Sequence, residues 1–143
     1  MREIDYREVD YIVIHCTGAS QKQSVESILR YWREVKEWIE YGYHRIIKPN
    51  GEIKKLASFD RITNGVRGYN HNSIHICYIG GQNVDDRTEQ QKASILICIK
   101  EALEYVKCTK NTKVIIQGHR DFDGVRKECP QFSAKEEYSW ITA

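Results

Sequence analysis

Long apolar runs and paired cysteines are both missing from this sequence of 143 residues. Its longest apolar segments, such as 11–14 and 95–99, fall far short of the roughly 18 residues of a membrane-spanning helix, so no membrane span is predicted. The opening residues Met1–Asp5 lack the apolar stretch of a secretory signal peptide, so we expect synthesis in the cytoplasm without a leader. The five cysteines form no Cys-x-x-Cys pair and are odd in number, which argues against a disulfide framework.

Proline-rich linkers, internal repeats and a strong net charge are absent as well. The sequence has only two prolines, and its 22 Lys and Arg against 20 Asp and Glu give a net charge of +2. This balance does not suggest a polycationic protein, and we expect no nucleic-acid partner. The apolar fraction of 41% and the charged fraction of 29% are typical of globular proteins. We therefore predict one domain over residues 1–143, and we expect it to be a monomer.

The hydrophobic pattern predicts a mixed sheet of about five strands. Strands are predicted at 11–15, 43–48, 52–56, 73–79 and 113–117. Three of these segments are rich in β-branched residues, which favours buried strands. The other two are joined through Asn50-Gly51, a pair that is typical of a hairpin turn.

About three helices are expected to pack against this sheet. Apolar residues recur at spacings of three and four over 24–41, which predicts an amphipathic helix that ends near Gly42. Thr88, with Gln91 three residues later, is predicted to cap a second helix, and Ser133 a short third one. Strands and helices in this order indicate an α/β fold in which helices cover a central mixed sheet.

Two histidines and one cysteine occupy positions at which a ligand site is expected. His15 closes the first predicted strand, His119 follows the fifth, and Cys129 lies ten residues further on. Ligand sites of open α/β sheets lie at such strand ends. Two imidazoles and one thiolate would give Zn²⁺ three ligands and leave one tetrahedral position for water, as catalytic zinc requires. The three residues show no diagnostic spacing, so hydrogen-bonded structural histidines remain an alternative at this point.

Several short motifs occur in one order along the chain. They are Val13-Ile-His-Cys-Thr17, Gly42-Tyr-His-Arg-Ile-Ile-Lys48, Asn50-Gly51, Gly68-Tyr-Asn-His-Asn-Ser-Ile74, Cys77-Tyr-Ile-Gly-Gly81, Gly118-His-Arg120 and Lys127-Glu-Cys-Pro130. Together they resemble the type 2 N-acetylmuramoyl-L-alanine amidases, zinc enzymes that include short phage lysozymes and peptidoglycan recognition proteins. The resemblance extends from about Tyr11 to Phe132, which is nearly the whole chain.

The resemblance implies a role for each of five residues. It implies that His15, His119 and Cys129 bind Zn²⁺. It also implies that Tyr43 and Lys127 are catalytic. The implied reaction hydrolyses the amide between the lactyl group of N-acetylmuramic acid and L-alanine of the peptidoglycan stem peptide.

The chemistry of these residues agrees with the implied roles. A bound zinc lowers the pKa of water toward about 7, so no strong protein base is required. The Lys127 ammonium can stabilise the negative charge that develops on the amide oxygen. Tyr43 has a reference pKa of about 10 and is a weak base by itself, so we assign it to positioning the nucleophile.

The setting that the resemblance implies is the bacterial cell wall, with peptidoglycan as substrate. We expect a phage or prophage lysin that acts after release from the cytoplasm, and a delivered toxin or a recycling enzyme would look the same. A peptidoglycan-binding module without activity is an alternative function. A second alternative is a cysteine hydrolase in which Cys129 is the nucleophile and His119 its base. A glycosidase with paired carboxylates is not indicated by any motif.

Two positions depart from the pattern of this family. Gly65 stands where relatives often carry a histidine, and His75 replaces a glycine of the strand that follows. His75 is therefore expected either to reshape the substrate groove or to stand in for the missing imidazole. In the nearby loop, Arg67, Asn70 and Asn72 are expected to donate hydrogen bonds to the substrate.

Overall fold

The computed structural model describes residues 6–109 and 113–141, which form five strands and three α-helices. The strands are β1 (Tyr11–Cys16), β2 (Arg45–Ile47), β3 (Ile53–Lys55), β4 (Ser73–Tyr78) and β5 (Ile115–Gly118). They form one sheet in the order β3-β2-β4-β1-β5. β1 is parallel to β4 and β5, β2 is parallel to β4, and the hairpin of β2 and β3 is antiparallel. The predicted mixed α/β sheet is thus confirmed.

The helices are α1 (Val25–Glu34), α2 (Glu89–Lys107) and α3 (Ala134–Glu137). The predicted capping box of α2 is present, because Thr88 Oγ1 accepts the Gln91 N–H and Gln91 Oε1 accepts the Thr88 N–H, both at 3.0 Å. Ser133 caps α3 by accepting the Glu136 N–H. Within the described residues, no helix combines the length and the apolar character that a membrane crossing requires.

The sheet buries side chains on both faces. One face packs against α2 and forms the larger cluster of buried residues, which includes Ile12, Ile14, Ile74, Ile76, Ile95 and Ile99. Because side chains alternate along a strand, the residues between these point to the opposite face. There Ile46 of β2 packs against Val25, Ile28 and Trp32 of α1. His15 of β1 belongs to this second face.

The first helix is shorter than the pattern predicts, since it ends at Glu34 rather than near Tyr41. Glu37 has a φ of 55°, which turns the chain back so that the Trp38 N–H donates to the Trp32 carbonyl at 3.0 Å. The two indole rings then lie 6.2 Å apart. Trp38 of this returning segment packs against α1, whereas Val35 and Ile39, which continue the apolar spacing past the helix, are exposed.

Gly42 has a different role from the helix terminator that the sequence predicts. A Cβ at this position would lie 2.7 Å from Cζ2 of Trp32, so glycine leaves space for the indole. Trp32 in turn packs against the ring of Tyr43, with centroids 5.4 Å apart. The glycine thus allows α1 to sit close to the strand end that carries Tyr43.

All five cysteines are free, in agreement with the absence of a disulfide framework. Cys16, Cys77 and Cys98 are buried and Cys129 is half-buried. Cys108 is exposed because it directly follows the last turn of α2.

Candidate metal centre

Three predicted ligands come together although they are far apart in sequence. His15 lies near the end of β1, His119 opens a short 3₁₀ turn (His119–Asp121) directly after β5, and Cys129 lies in the loop that follows. β1 and β5 are parallel neighbours, so their carboxyl ends lie at the same edge of the sheet. One donor atom from each of the three residues lies within 4.8 Å of the other two, and no second such group occurs in residues 6–109 and 113–141.

The ring of His15 is completely buried, and one of its two nitrogens has no hydrogen-bond partner among the described residues. Its Nε2 lies 2.9 Å from Nδ1 of His75, whereas its own Nδ1 has no hydrogen-bond partner among the described residues. A buried polar atom without a partner is unfavourable, and a bound cation would satisfy it. Burial also keeps the pKa of His15 well below its ordinary value, so the ring is neutral and carries a lone pair for a metal.

His119 is half-buried beside the positive charge of Lys127. Burial lowers the pKa of His119 to about 4, and the charge of Lys127 contributes in the same direction. The imidazole is therefore neutral near pH 7, as metal ligation requires. Lys127, which is itself exposed, lines the same cleft as His119 and Cys129.

Cys129 is fixed by hydrogen bonds to two parts of the fold. Its Sγ accepts the Cys16 N–H at 3.1 Å, and its carbonyl accepts the Arg120 N–H at 2.8 Å. The Tyr78 hydroxyl donates to the carbonyl of Pro130 at 2.6 Å. Hydrogen bonding to the Cys16 thiol and burial raise the pKa of Cys129, while a coordinated divalent cation deprotonates a thiol outright. The neighbouring Cys16 packs into the core cluster and is not one of the three donors, as strand alternation predicts.

Tyr43 lies against the donor group, just before β2. Its ring centroid is 4.8 Å from that of His15. Burial raises the pKa of Tyr43 well above its ordinary value, so the phenol keeps its proton and can donate a hydrogen bond. The structure therefore brings all five predicted site residues into one region.

A cleft of about 830 Å³ opens over this group. His119, Cys129, Tyr43 and Lys127 line it. The sequence motifs do not predict the contribution of α1 and the turn after it, from which Tyr31, Trp32, Lys36 and Trp38 also line the cleft. The concentration of large aromatic residues in that segment was the available signal.

Only one of the three expected hydrogen-bond donors in the 67–72 loop lines the cleft. Arg67 does so. The side chain of Asn70 instead hydrogen-bonds to Val66 and His75, and that of Asn72 donates to Asp10 Oδ2 at 2.9 Å. The expectation that these two asparagines contact the substrate is corrected, because neither lines the cleft: Asn70 accepts through its amide oxygen inside the protein, and Asn72 donates its amide nitrogen there.

Comparison with known proteins finds relatives over most of the chain. A profile of the N-acetylmuramoyl-L-alanine amidase family matches residues 5–132. The chain is 32% identical over 128 residues to the endolysin of Enterobacteria phage T3, which covers 87% of this chain and 82% of that protein. It is 29% identical over 134 residues to the endolysin of Escherichia phage T7, with coverages of 88% and 83%.

Solved structures with the same fold include peptidoglycan recognition proteins. One is the ectodomain complex of the recognition proteins LCa and LCx bound to tracheal cytotoxin, with a TM-score of 0.79 and 22% identity. The match covers 99% of this chain and 89% of that one. At this level of identity the likeness concerns the fold alone.

Proposed function

The chain belongs to the N-acetylmuramoyl-L-alanine amidase family, and from this premise we propose a zinc-dependent hydrolase of peptidoglycan. Family membership assigns it to a class of enzymes. The proposed reaction cleaves the amide between the lactyl group of N-acetylmuramic acid and L-alanine of the stem peptide. The observation that carries the proposal is the convergence of the His15, His119 and Cys129 donors within 4.8 Å at the cleft.

The donor set suits zinc better than other common cations. Imidazole nitrogen and thiolate sulfur are the usual zinc ligands, whereas calcium and magnesium prefer oxygen. Three protein ligands are the number found in catalytic zinc sites, which keep a fourth position open. When bound, the metal supplies an acidified water molecule and a Lewis acid for the amide carbonyl.

Lys127 is proposed to stabilise the negative charge that develops on the amide oxygen during attack. Lys127 lines the same cleft as His119, and its charge helps burial to lower the pKa of that histidine. A fixed positive charge at the place where a negative charge forms lowers the barrier without any rearrangement at the moment of reaction. The assignment requires that the substrate carbonyl enters the cleft between Lys127 and the donors.

Tyr43 is proposed to orient the attacking water through its phenol. Its ring contacts His15, and its raised pKa favours the protonated form, which is a hydrogen-bond donor. A group that donates to the water can hold the lone pair of that water toward the amide carbon. In this arrangement the phenol of Tyr43 keeps its proton throughout.

The lining of the cleft supports an anionic, glycan-bearing substrate. Lys36, Arg67 and Lys127 contribute positive charge, and Glu128 contributes negative charge. Stem peptides carry carboxylates that such cations attract. Tyr31 and Trp38 add flat apolar surface of the kind that packs against sugar rings. With the endolysins among its relatives, we propose that the chain is a phage lysin acting on the cell wall.

The convergence of three donor atoms favours the zinc site over a cysteine nucleophile, and the raised pKa of Cys129 acts in the same direction. A reactive cysteine requires a lowered pKa, which supplies thiolate at neutral pH. Here burial and the Cys16 thiol act in the opposite direction. A metal ligand has no such requirement, since the cation itself displaces the proton.

Mass spectrometry of purified peptidoglycan after digestion tests the reaction. The proposal predicts new free amino termini on L-alanine and intact glycan strands. New reducing sugar ends would identify a glycosidase instead, and binding without any new end would identify a non-catalytic module. The His119→Ala variant is the control, because it should lose both tight zinc binding and hydrolysis.

A further inference from the structure

His75 lies behind the donor group without belonging to it. Its ring is completely buried, and its Nδ1 lies 2.9 Å from Nε2 of His15. The other nitrogen of the same ring, Nε2, lies 3.0 Å from Oδ1 of Asn70. His75 therefore connects a ring that faces the proposed metal with an amide that lies outside the cleft lining.

The direction of these hydrogen bonds is fixed by the Val66 backbone. The N–H of Val66 donates to the Asn70 side chain at 2.7 Å, so the atom it meets must be the amide oxygen. An oxygen only accepts, so the proton of the Asn70–His75 hydrogen bond must sit on Nε2 of His75. The ring is completely buried, and its two hydrogen-bond partners, an amide and an imidazole, carry no negative charge, so it is neutral and carries only that one proton.

The proton positions of His15 follow from this order. With its proton on Nε2, His75 presents a lone pair at Nδ1, which can only accept. His15 must then donate from Nε2, and its Nδ1 is left with a free lone pair. That Nδ1 is the buried atom without a partner described above.

We propose that His75, held by Asn70, is a positioning residue that selects the tautomer and ring orientation of His15 for metal binding. The inference rests on the proposed zinc function, and it adds a residue that does not touch metal or substrate. A partner of this kind keeps the coordinating nitrogen unprotonated and prevents rotation of the ring.

Contacts with neighbouring residues restrain the ring of His75. A Cβ at Gly65 would lie 2.3 Å from Nδ1 of His75, so the ring packs directly on the Gly65 backbone. On the strand itself, the backbone N–H of His75 donates to the ring Nδ1 of His44 at 3.0 Å. The backbone carbonyl of His75 accepts the backbone N–H of His44 at 3.0 Å. Backbone and side chain of His75 are both held.

The first test compares two variants of His75 by their zinc affinity, measured by competition with a chelator. His75→Leu removes the acceptor for His15, and a loss of about 10- to 100-fold in zinc affinity is expected. His75→Asn keeps an oxygen close to the position of Nδ1, so its affinity should stay near that of the unchanged protein. Equal affinity of the Leu variant and the unchanged protein would overturn the proposal.

A second variant tests the same hydrogen bond without altering either ring. Gly65→Ala places a methyl group where the His75 ring lies, and therefore displaces the acceptor from His15. Weaker zinc binding with all three ligands intact is the expected result. Unchanged affinity in a folded Gly65→Ala protein would show that the position of His75 is unimportant.

A spectroscopic readout on the unchanged, zinc-loaded protein applies even where a variant fails to fold. Nitrogen-15 NMR of the imidazoles should find the His75 proton on Nε2 and zinc on Nδ1 of His15. A proton on Nδ1 of His75, or zinc on Nε2 of His15, would refute the assignment. Failure of the unchanged protein to bind zinc would instead count against the proposed function.

Discussion

The roles of the histidines are decided by hydrogen-bond partners that come together only in the fold. His44, His75 and His15 are all buried, and within the described part of the chain only His15 has a ring nitrogen without a hydrogen-bond partner. Ordered motifs in the sequence were enough to predict His15, His119 and Cys129 as a group. They could not decide between a reshaped groove and a replacement imidazole for His75, because its contacts with Asn70 and Gly65 form only in the fold.

Lys127 provides the residue-level test of charge stabilisation. Lys127→Ala should bind zinc as before, because the lysine is not a ligand, and should lose about 10²- to 10³-fold in turnover. Zinc content by elemental analysis and the rate of peptidoglycan hydrolysis measure the two effects separately. Lys135→Ala, on the exposed side of α3, is the matched control and should keep full activity. Full turnover of Lys127→Ala would remove the lysine from the mechanism.

Helix starts were predicted better than helix ends. Thr88 and Ser133 cap α2 and α3 as expected, because a capping side chain acts over three residues of local sequence. The end of α1 depends on Glu37, whose positive φ has no sequence signature, and on the packing of Trp38 against Trp32. That contact is tertiary, so the apolar spacing alone gave a helix that was too long.

The Thr88 cap provides a test of how a single helix end contributes to stability. Thr88→Ala removes the acceptor for the Gln91 N–H and the donor to the Pro49 carbonyl, which links α2 to the hairpin turn. The free energy of unfolding should fall by about 1 kcal/mol, measured by denaturant titration. Thr88→Ser keeps the hydroxyl and should lose much less. Equal losses in the two variants would mean that the methyl group, rather than the cap, is responsible.

At the scale of the whole molecule, the pairing of the strands positions the site. The sequence patterns do not specify this pairing. Parallel pairing of β1 with both β4 and β5 brings the residues around His15 and His119 to one edge of the sheet. The sequence predicted a mixed five-strand sheet, but the order of the strands depends on contacts between segments about 60 to 100 residues apart. The extent of one domain over residues 1–143 and the monomeric state stay predictions.

The burial of His44 allows a prediction of how the stability of the whole protein depends on pH. Burial and the charges of Arg7 and Arg45 lower the pKa of His44 to about 3, against the opposing hydrogen bond to the Arg61 carbonyl. Between about pH 6.5 and 3 the unfolded chain binds a proton at this residue that the folded chain does not. The free energy of unfolding should therefore decrease as the pH falls, by up to about 1.4 kcal/mol per pH unit from this group.

Replacement of His44 isolates its share of this dependence. His44→Gln removes the titrating ring and should make the decrease shallower in urea titrations between pH 6.5 and 4. His71→Gln, at an exposed position, is the control and should leave the slope unchanged. A slope that is equally steep in His44→Gln and the unchanged protein would assign the acid sensitivity to other groups.

X-ray absorption at the zinc edge of the loaded protein tests the metal centre most directly. The proposed site predicts that zinc has four ligands: the sulfur of Cys129 at about 2.3 Å, and three nitrogen or oxygen atoms at about 2.0–2.1 Å. Two of these light atoms should be imidazole nitrogens, and Cys129→Ser should remove the sulfur signal. A spectrum without sulfur, or with two or more sulfur atoms, would contradict a site built from His15, His119 and Cys129.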